Sequence, residues 1–430
     1  MLMHGPRRGV LFAVGACLAA WMSGVPLLGS GFSATEPSVK AMGLGGAFAA
    51  RADDPTAGFY NPGALALVKK GKLTVGLVPV SLNESQYQGL PPGIGAGTAA
   101  EQEQDILFRP HAFALLPLSP KLKLGIGAYT PFGFKNEWAD PGQFAGRYIS
   151  TSSELETYDV NTNLAVQLTP SFGIGFGAIY RTSRLTMGRR LGANNPADGE
   201  LVDVGSFGIE SEWEYGFGWD VGFLNKIGDR FSWGISYRSP IETDSAGAGR
   251  LTQVLTGNAQ FDALNRATLP YDTDLPISTT LQFPATATFA VGFAPSEKSW
   301  IEVDVTQTAW SDFEGLSVVF PTEPSFSQDI QGPWEDALSY KLGIQIGLGK
   351  DINVRLGYGF EETPVPDASL GPFFPDSERS IFSAGIGRDW LDIGFQLIAP
   401  DSRTTLTNAD NLNGVYSGNT YLLGISITKK

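Results

Sequence analysis

Alternation with a period of two, sustained over long runs, is the feature that most restricts what this chain can become. Trp213, Tyr215, Phe217, Trp219, Val221 and Phe223 alternate with Glu212, Glu214, Gly216, Gly218, Asp220 and Gly222. Leu338, Tyr340, Leu342, Ile344, Ile346 and Leu348 alternate with Ser339, Lys341, Gly343, Gln345 and Gly347, and the stretches 158–168 and 172–180 repeat the pattern. Successive strand residues point to opposite faces, so each run has one greasy face and one polar or glycine face. A soluble sandwich alternates as well. Here, however, the apolar faces reach six positions, matching the roughly 9–11 residues of a membrane-crossing strand. Phe172, Tyr180, Trp213, Tyr340, Tyr358, Phe360, Trp390 and Tyr421 also sit at or near strand ends, as interfacial aromatic girdles do.

Fourteen strands are expected, at 72–82, 106–118, 121–131, 154–169, 172–189, 208–227, 230–238, 284–294, 299–309, 336–349, 352–360, 379–387, 390–398 and 418–428. Their connections alternate between very short ones, such as Pro170-Ser171 and Gly228-Asp229, and long ones, of which Ser239–Phe283 is the longest. Short periplasmic turns and long external loops mark an outer-membrane barrel, and a sandwich has no reason to sort its loops this way. In lipid, only a closed sheet leaves no unpaired edge. The expected fold is therefore all-β: a 14-stranded antiparallel transmembrane β-barrel occupying 71–430. Residues 31–70 carry Gly, Ala and Pro without alternation. With both chain ends of the barrel facing the periplasm, this segment is expected to fold into the lumen as a small N-terminal hatch. Residues 1–30, with Arg7 and Arg8 ahead of a short apolar run, have the layout of a secretory signal peptide.

Composition narrows the function. The net charge of −14 becomes −16 when Arg7 and Arg8 leave, which excludes the basic surface a nucleic-acid partner requires. Cys17, the only cysteine, lies in the leader, so thiolate chemistry is excluded from the mature chain. His4 lies there too, leaving His111 as the one imidazole for a Ser-His pair. A plain lumen or interface role is the better reading of His111. The carboxylate pairs Glu212/Glu214 and Glu302/Asp304 are read as polar lumen wall, paired with Arg238, Lys341 and Arg355. Neither an enzyme nor a cofactor nor a metal site is expected. Leu251, Val254, Leu255, Phe261, Leu264 and Leu269 recur at roughly helical spacing and are expected to line an apolar capture groove.

Gly31-Phe32, Ala41–Phe48, Ala52-Asp53-Asp54-Pro55 and Asn61-Pro62-Gly63 resemble the N-terminal hatch of the FadL family of outer-membrane long-chain fatty acid transporters. The resemblance continues through Pro131-Phe132-Gly133, Ala145–Tyr148, Gly216–Trp219, Ser236–Ser239, Ala309-Trp310-Ser311, Thr363–Asp367 and Pro375-Asp376. It implies a monomeric barrel that captures hydrophobic molecules at external loops, here 190–207 and 239–283. They then pass to an inner pocket and leave sideways where the third strand is kinked. By the same resemblance, Phe32 occupies the inner pocket, and Asn61 and Pro62 belong to the hatch motif, with Gly63 in place of its alanine. Pro131, Phe132 and Gly133 fall at the lateral gap. A proline without a ladder donor and a weakly pairing glycine favour a break there on physical grounds alone. Arg184, Arg238 and Lys341 are candidates for a substrate carboxylate, and Leu255 and Phe261 for the capture groove. Implied partners are hydrophobic small molecules, outer-membrane lipid with lipopolysaccharide, and the barrel assembly machinery. The terminal aromatic common in such barrels does not follow Thr428-Lys429-Lys430 in the sequence, while Tyr421, Leu423, Ile425 and Ile427 keep the alternation of a last strand. The alternatives are an aromatic-hydrocarbon channel of the TodX type and a general porin or adhesin.

Overall fold

The computed structural model describes residues 31–33, 37–51, 53–82, 85–349 and 351–429; the expected signal peptide, 1–30, lies outside them. Fourteen antiparallel strands form the wall. They are β1 Lys72–Leu82, β2 Asp105–Pro117, β3 Leu122–Tyr129, β4 Ser152–Thr169, β5 Phe172–Asn194, β6 Glu214–Ile227 and β7 Phe231–Arg238. The second half comprises β8 Thr286–Ser296, β9 Ser299–Thr308, β10 Ala337–Leu348, β11 Ile352–Glu361, β12 Arg379–Arg388, β13 Leu391–Pro400 and β14 Thr420–Lys429. Each pairs with its sequence neighbours, and β14 closes back onto β1 with Leu77 opposite Ile425. Among the described residues no helix is long and apolar enough to cross a membrane.

The alternation sorts as the strand geometry demands. Phe176, Tyr215, Phe217, Leu356 and Phe382 stand on the outer surface, more than half of Phe217 being exposed. Their glycine neighbours face inward, and what they face is the N-terminal segment. Three short helices, α1 Val39–Met42, α2 Ala57–Tyr60 and α3 Pro62–Leu65, lie inside the ring of strands. A Cβ on Gly125 would stand 2.6 Å from Leu65 Cδ1, one on Gly234 2.5 Å from Ala49 O, and one on Gly343 2.8 Å from Leu44 O. Inward glycines thus bring the wall backbone against the segment at close packing, which larger side chains would prevent.

Three expectations about boundaries are corrected. The run 208–227 is two strands: Leu201–Ser211 and β6. Alternation passes through the break at Glu212-Trp213 without a change of phase, so the pattern hides it. The supposed loops 190–207 and 239–283 are largely strand as well. The upper half of β5 pairs with Leu201–Ser211, which pairs with Ile241–Gln253, which pairs with Asp274–Phe283, extending the sheet beyond the barrel. The helical spacing over 251–269 yields only α4 Ala259–Thr268, started by Asn258, whose side chain accepts from the Gln260 and Phe261 N–H groups. Leu251 is instead a buried strand residue.

Candidate functional site

The lumen has two storeys. Toward the short turns, wall side chains hold the backbone of the N-terminal segment. Asp304 Oδ2 accepts from Phe48 N (2.9 Å) and Ala49 N (3.0 Å), and Glu302 Oε1 accepts from Ala50 N (2.5 Å). Ser232 donates to Ala50 O and Ser236 to Tyr60 O. Asn61, fully buried, donates to Ala49 O (2.8 Å) and Phe223 O (2.9 Å), while its Oδ1 caps α3 at Gly63 N. Pro62 follows as the first residue of α3, where its missing N–H costs nothing.

Above this level lies a layer of buried ion pairs. Arg181 makes a bidentate contact with Asp159 (2.8 and 2.9 Å), and both are essentially inaccessible. Arg238 stands 3.7 Å from Asp159 and 3.6 Å from Asp220, and donates to Tyr129 Oη (2.8 Å) and Phe59 O (3.1 Å). Beside it, a cavity of about 120 Å³ is lined by Arg238, Lys341, Pro131, Phe132 and the threonines 286, 288, 306 and 308. Lys341 has no carboxylate within 4.0 Å among the described residues, and Asp304 lies within reach of its charge.

The upper storey is aromatic. Phe32 sits among seven rings, those of Phe132, Phe134, Phe283, Trp310, Phe313, Trp334 and Phe374, at centroid distances of 4.6–6.2 Å. The guanidinium of Arg181 forms the floor, 4.6 Å from the Phe132 and Phe283 rings. Two backbone contacts hold this end of the segment: Gly133 N donates to Phe32 O (3.1 Å), and Gly31 N to Asp376 Oδ2 (3.3 Å). Asp376 lies in the β11–β12 loop, where burial pushes its carboxyl up to about 6. Arg379, the Thr363 hydroxyl and Arg403 pull the other way.

Beside the cage the wall is interrupted. β3 stops at Tyr129, and Gly133–Glu137 resumes pairing with β4 only. Gly133 takes φ +153°, open to glycine and strained for other residues. Pro131 and Phe132 therefore occupy the break itself, and Gly133 opens the strand segment that follows it.

Residues 20–430 match the family described as outer membrane protein transport protein (OMPP1/FadL/TodX). The chain belongs to this family. Its members are transport proteins of the outer membrane, not enzymes, and this barrel belongs in the bacterial outer membrane. It is 25% identical over 391 residues to the long-chain fatty acid transport protein of Escherichia coli (strain K12), spanning 83% of each chain. It is 20% identical to outer membrane protein P1 of Haemophilus influenzae (strain ATCC 51907 / DSM 11121 / KW20 / Rd), spanning 81% and 80%. Among solved structures, a Pseudomonas aeruginosa FadL homologue superposes with a TM-score of 0.79 at 20% identity, covering 93% of this chain and 99% of that one. The Pseudomonas putida toluene transporter TodX gives 0.66 at 14%, covering 94% and 99%.

Within this FadL/TodX-family barrel, Phe32, Asn61, Pro62, Pro131, Phe132, Gly133, Arg238 and Lys341 converge on one region of the lumen. Three others do not join them. Arg184 shares the outward parity of Tyr180, pairs with Glu156 (2.6 Å) and Glu210 (3.0 Å), and lies over Trp213. Leu255 is 73% exposed between the strand Ile241–Gln253 and α4, whereas Phe261 is a buried residue of α4 itself. The carboxylate pairings expected from sequence are also redrawn: Arg238 meets Asp159 and Asp220, Arg355 meets Asp392 (2.6 Å), and Glu302 and Asp304 bind backbone N–H groups. His111 has no hydrogen-bond partner on either ring nitrogen among the described residues, so no serine hydroxyl is engaged. Arg181 was legible and missed: it follows the outward Tyr180, so parity alone puts it inside. Trp310, Trp334 and Phe374 come from loops, where no periodicity announces them.

Proposed function

We propose that the protein carries hydrophobic molecules, long-chain fatty acids first, from the cell exterior through the barrel. Residues 31–70 act as the hatch domain, 71–430 as the barrel and 1–30 as a signal removed on export. One observation carries the reading: Phe32, part of the mobile element in this scheme, fills an aromatic cage directly beside the break at 130–132. A substrate chain displacing Phe32 gains burial worth about 0.8 kcal/mol per CH₂. The loss of Phe32 from its site shifts the segment ending at Gly133, and the break offers release into the membrane. Lys341, without an ion-pair partner, supports a carboxylate head group, and the family relative from Escherichia coli is named for fatty acid transport. The barrel closes within a single chain and works as a monomer, inserted by the assembly machinery beneath the lipopolysaccharide leaflet.

A TodX-like hydrocarbon route is the second reading. It is favoured by the ring-lined cage and by the neutralisation of Arg181 and Arg238 by Asp159 and Asp220. Uptake of labelled oleate beside labelled toluene, in cells with and without the protein, separates the two. Oleate uptake that depends on the protein is expected, and toluene-only dependence overturns the fatty acid reading. Phe32→Ala and Pro62→Ala are expected to change the oleate rate while the barrel stays folded; unchanged transport in both sinks hatch gating.

A further inference from the structure

The strand break leaves a window with a defined frame. β2 is paired along β1 from Asp105 to Leu115, but its opposite edge meets β3 only from Ala112, opposite Ala128, downward. Above the window the wall closes again, where Glu103 N donates to Glu137 O (2.7 Å). Residues 105–111 therefore present an unpaired edge. Ile106 and Phe108 face outward from it, more than half exposed, and Pro110 has no N–H to leave unsatisfied. Two side chains bridge the opening: Lys135 reaches Asp105, and Arg109 Nη2 donates to Gly133 O (3.2 Å).

Arg109 differs from four of the other inward arginines of the wall; Arg189, which donates to Phe326 O and lies over the Phe207 ring, likewise has no carboxylate within 4.0 Å among the described residues. Arg181, Arg238, Arg355 and Arg379 each have a carboxylate within 4.0 Å. Arg109, on the same face of β2 as the buried His111 and Phe113, has none among the described residues; its one hydrogen bond goes to a neutral carbonyl. A guanidinium offers five donors and matches a carboxylate with two parallel bonds. Placing such a group at an apolar window without a counter-charge is costly, unless an anion arrives to share it. The carbonyl it holds belongs to Gly133, whose N–H is held by Phe32. The cation at the window and the ring in the cage are thus joined through one residue.

We propose that Arg109 is a binding site for the carboxylate of an amphipathic acid at the lateral window, so that anionic chains pass it faster than neutral chains of equal length. This rests on the reading of lateral fatty acid release. The test measures initial uptake of labelled oleate and labelled oleyl alcohol in cells carrying the unaltered protein, Arg109→Gln or Arg109→Lys, with a heat-modifiability gel confirming a folded barrel. Arg109→Gln is expected to slow oleate about tenfold, the scale of one charge-assisted hydrogen bond, with oleyl alcohol unchanged and Arg109→Lys largely restored. An equal loss for both compounds, or no loss of oleate, overturns the carboxylate role and leaves lateral release standing. Absence of oleate uptake by the unaltered protein overturns both.

Discussion

The two storeys of the lumen hold the same N-terminal segment by opposite means. In the lower one, Asp304, Glu302, Ser232, Ser236 and Asn61 grip backbone groups, and inward glycines fit the segment at close contact. Hydrogen bonds of this kind are directional, and each buried group that loses its partner costs about 1–3 kcal/mol. The upper storey holds Phe32 mainly by ring contacts. Most of what such contacts contribute is apolar burial, which is non-directional, so another apolar molecule of similar bulk can take the place of the ring. The lower storey therefore fixes where the segment sits, and under the proposed transport scheme the upper one is the part a ligand replaces. A transporter that must open without coming apart needs both.

The layer dividing the storeys is the most sensitive place to break this contrast. Arg181→Met leaves Asp159 buried without its bidentate partner, and a stability loss of about 3–5 kcal/mol is expected in urea unfolding. Adding Asp159→Leu should recover part of it; no recovery would mean the pair is not the cause. Next in size is the grip itself. Asp304→Asn removes the charge from two backbone hydrogen bonds and is expected to cost about 1.5–3 kcal/mol. Limited proteolysis should then cut within 37–68 sooner while the strand content by circular dichroism is unchanged.

The smallest effect concerns the upper anchor. Asp376 has a folded pKa of about 6, above the usual 3.8, so the folded state binds the proton more tightly than the unfolded chain. Stability contributed by this group therefore rises as pH falls through 6 toward 4, and is absent above 6. Unfolding free energies of the unaltered protein and Asp376→Asn at pH 7 and pH 5 should differ in slope in that sense. Parallel pH responses would remove Asp376 from the account.

Much of the wall was readable because lipid outside and a filled lumen inside impose opposite demands on alternate residues. Phe176 and Phe217 outside, Gly175 and Gly216 inside, follow from counting. The same counting misled at Glu212-Trp213, where the chain leaves one strand for the next without changing phase. Arg184 was a candidate because it is basic and near a strand end; its parity with Tyr180 placed it outside. The external sheet escaped notice because strand pairing of 201–211 with 241–253 depends on partners far apart in the chain.

Sequence by itself determined the barrel, its strand number, the position of the break at Pro131–Gly133 and the buried N-terminal segment. Each rests on local chemistry: side-chain parity, a missing proline donor, and apolar content without alternation. Only the tertiary structure decided what meets across the lumen. Phe32 gathers rings from five separate stretches of chain, and Arg109 is left without a carboxylate while Arg181, Arg238, Arg355 and Arg379 each find one. Those relations are set by closing the sheet, which fixes the spacing and stagger of strands that no local pattern records.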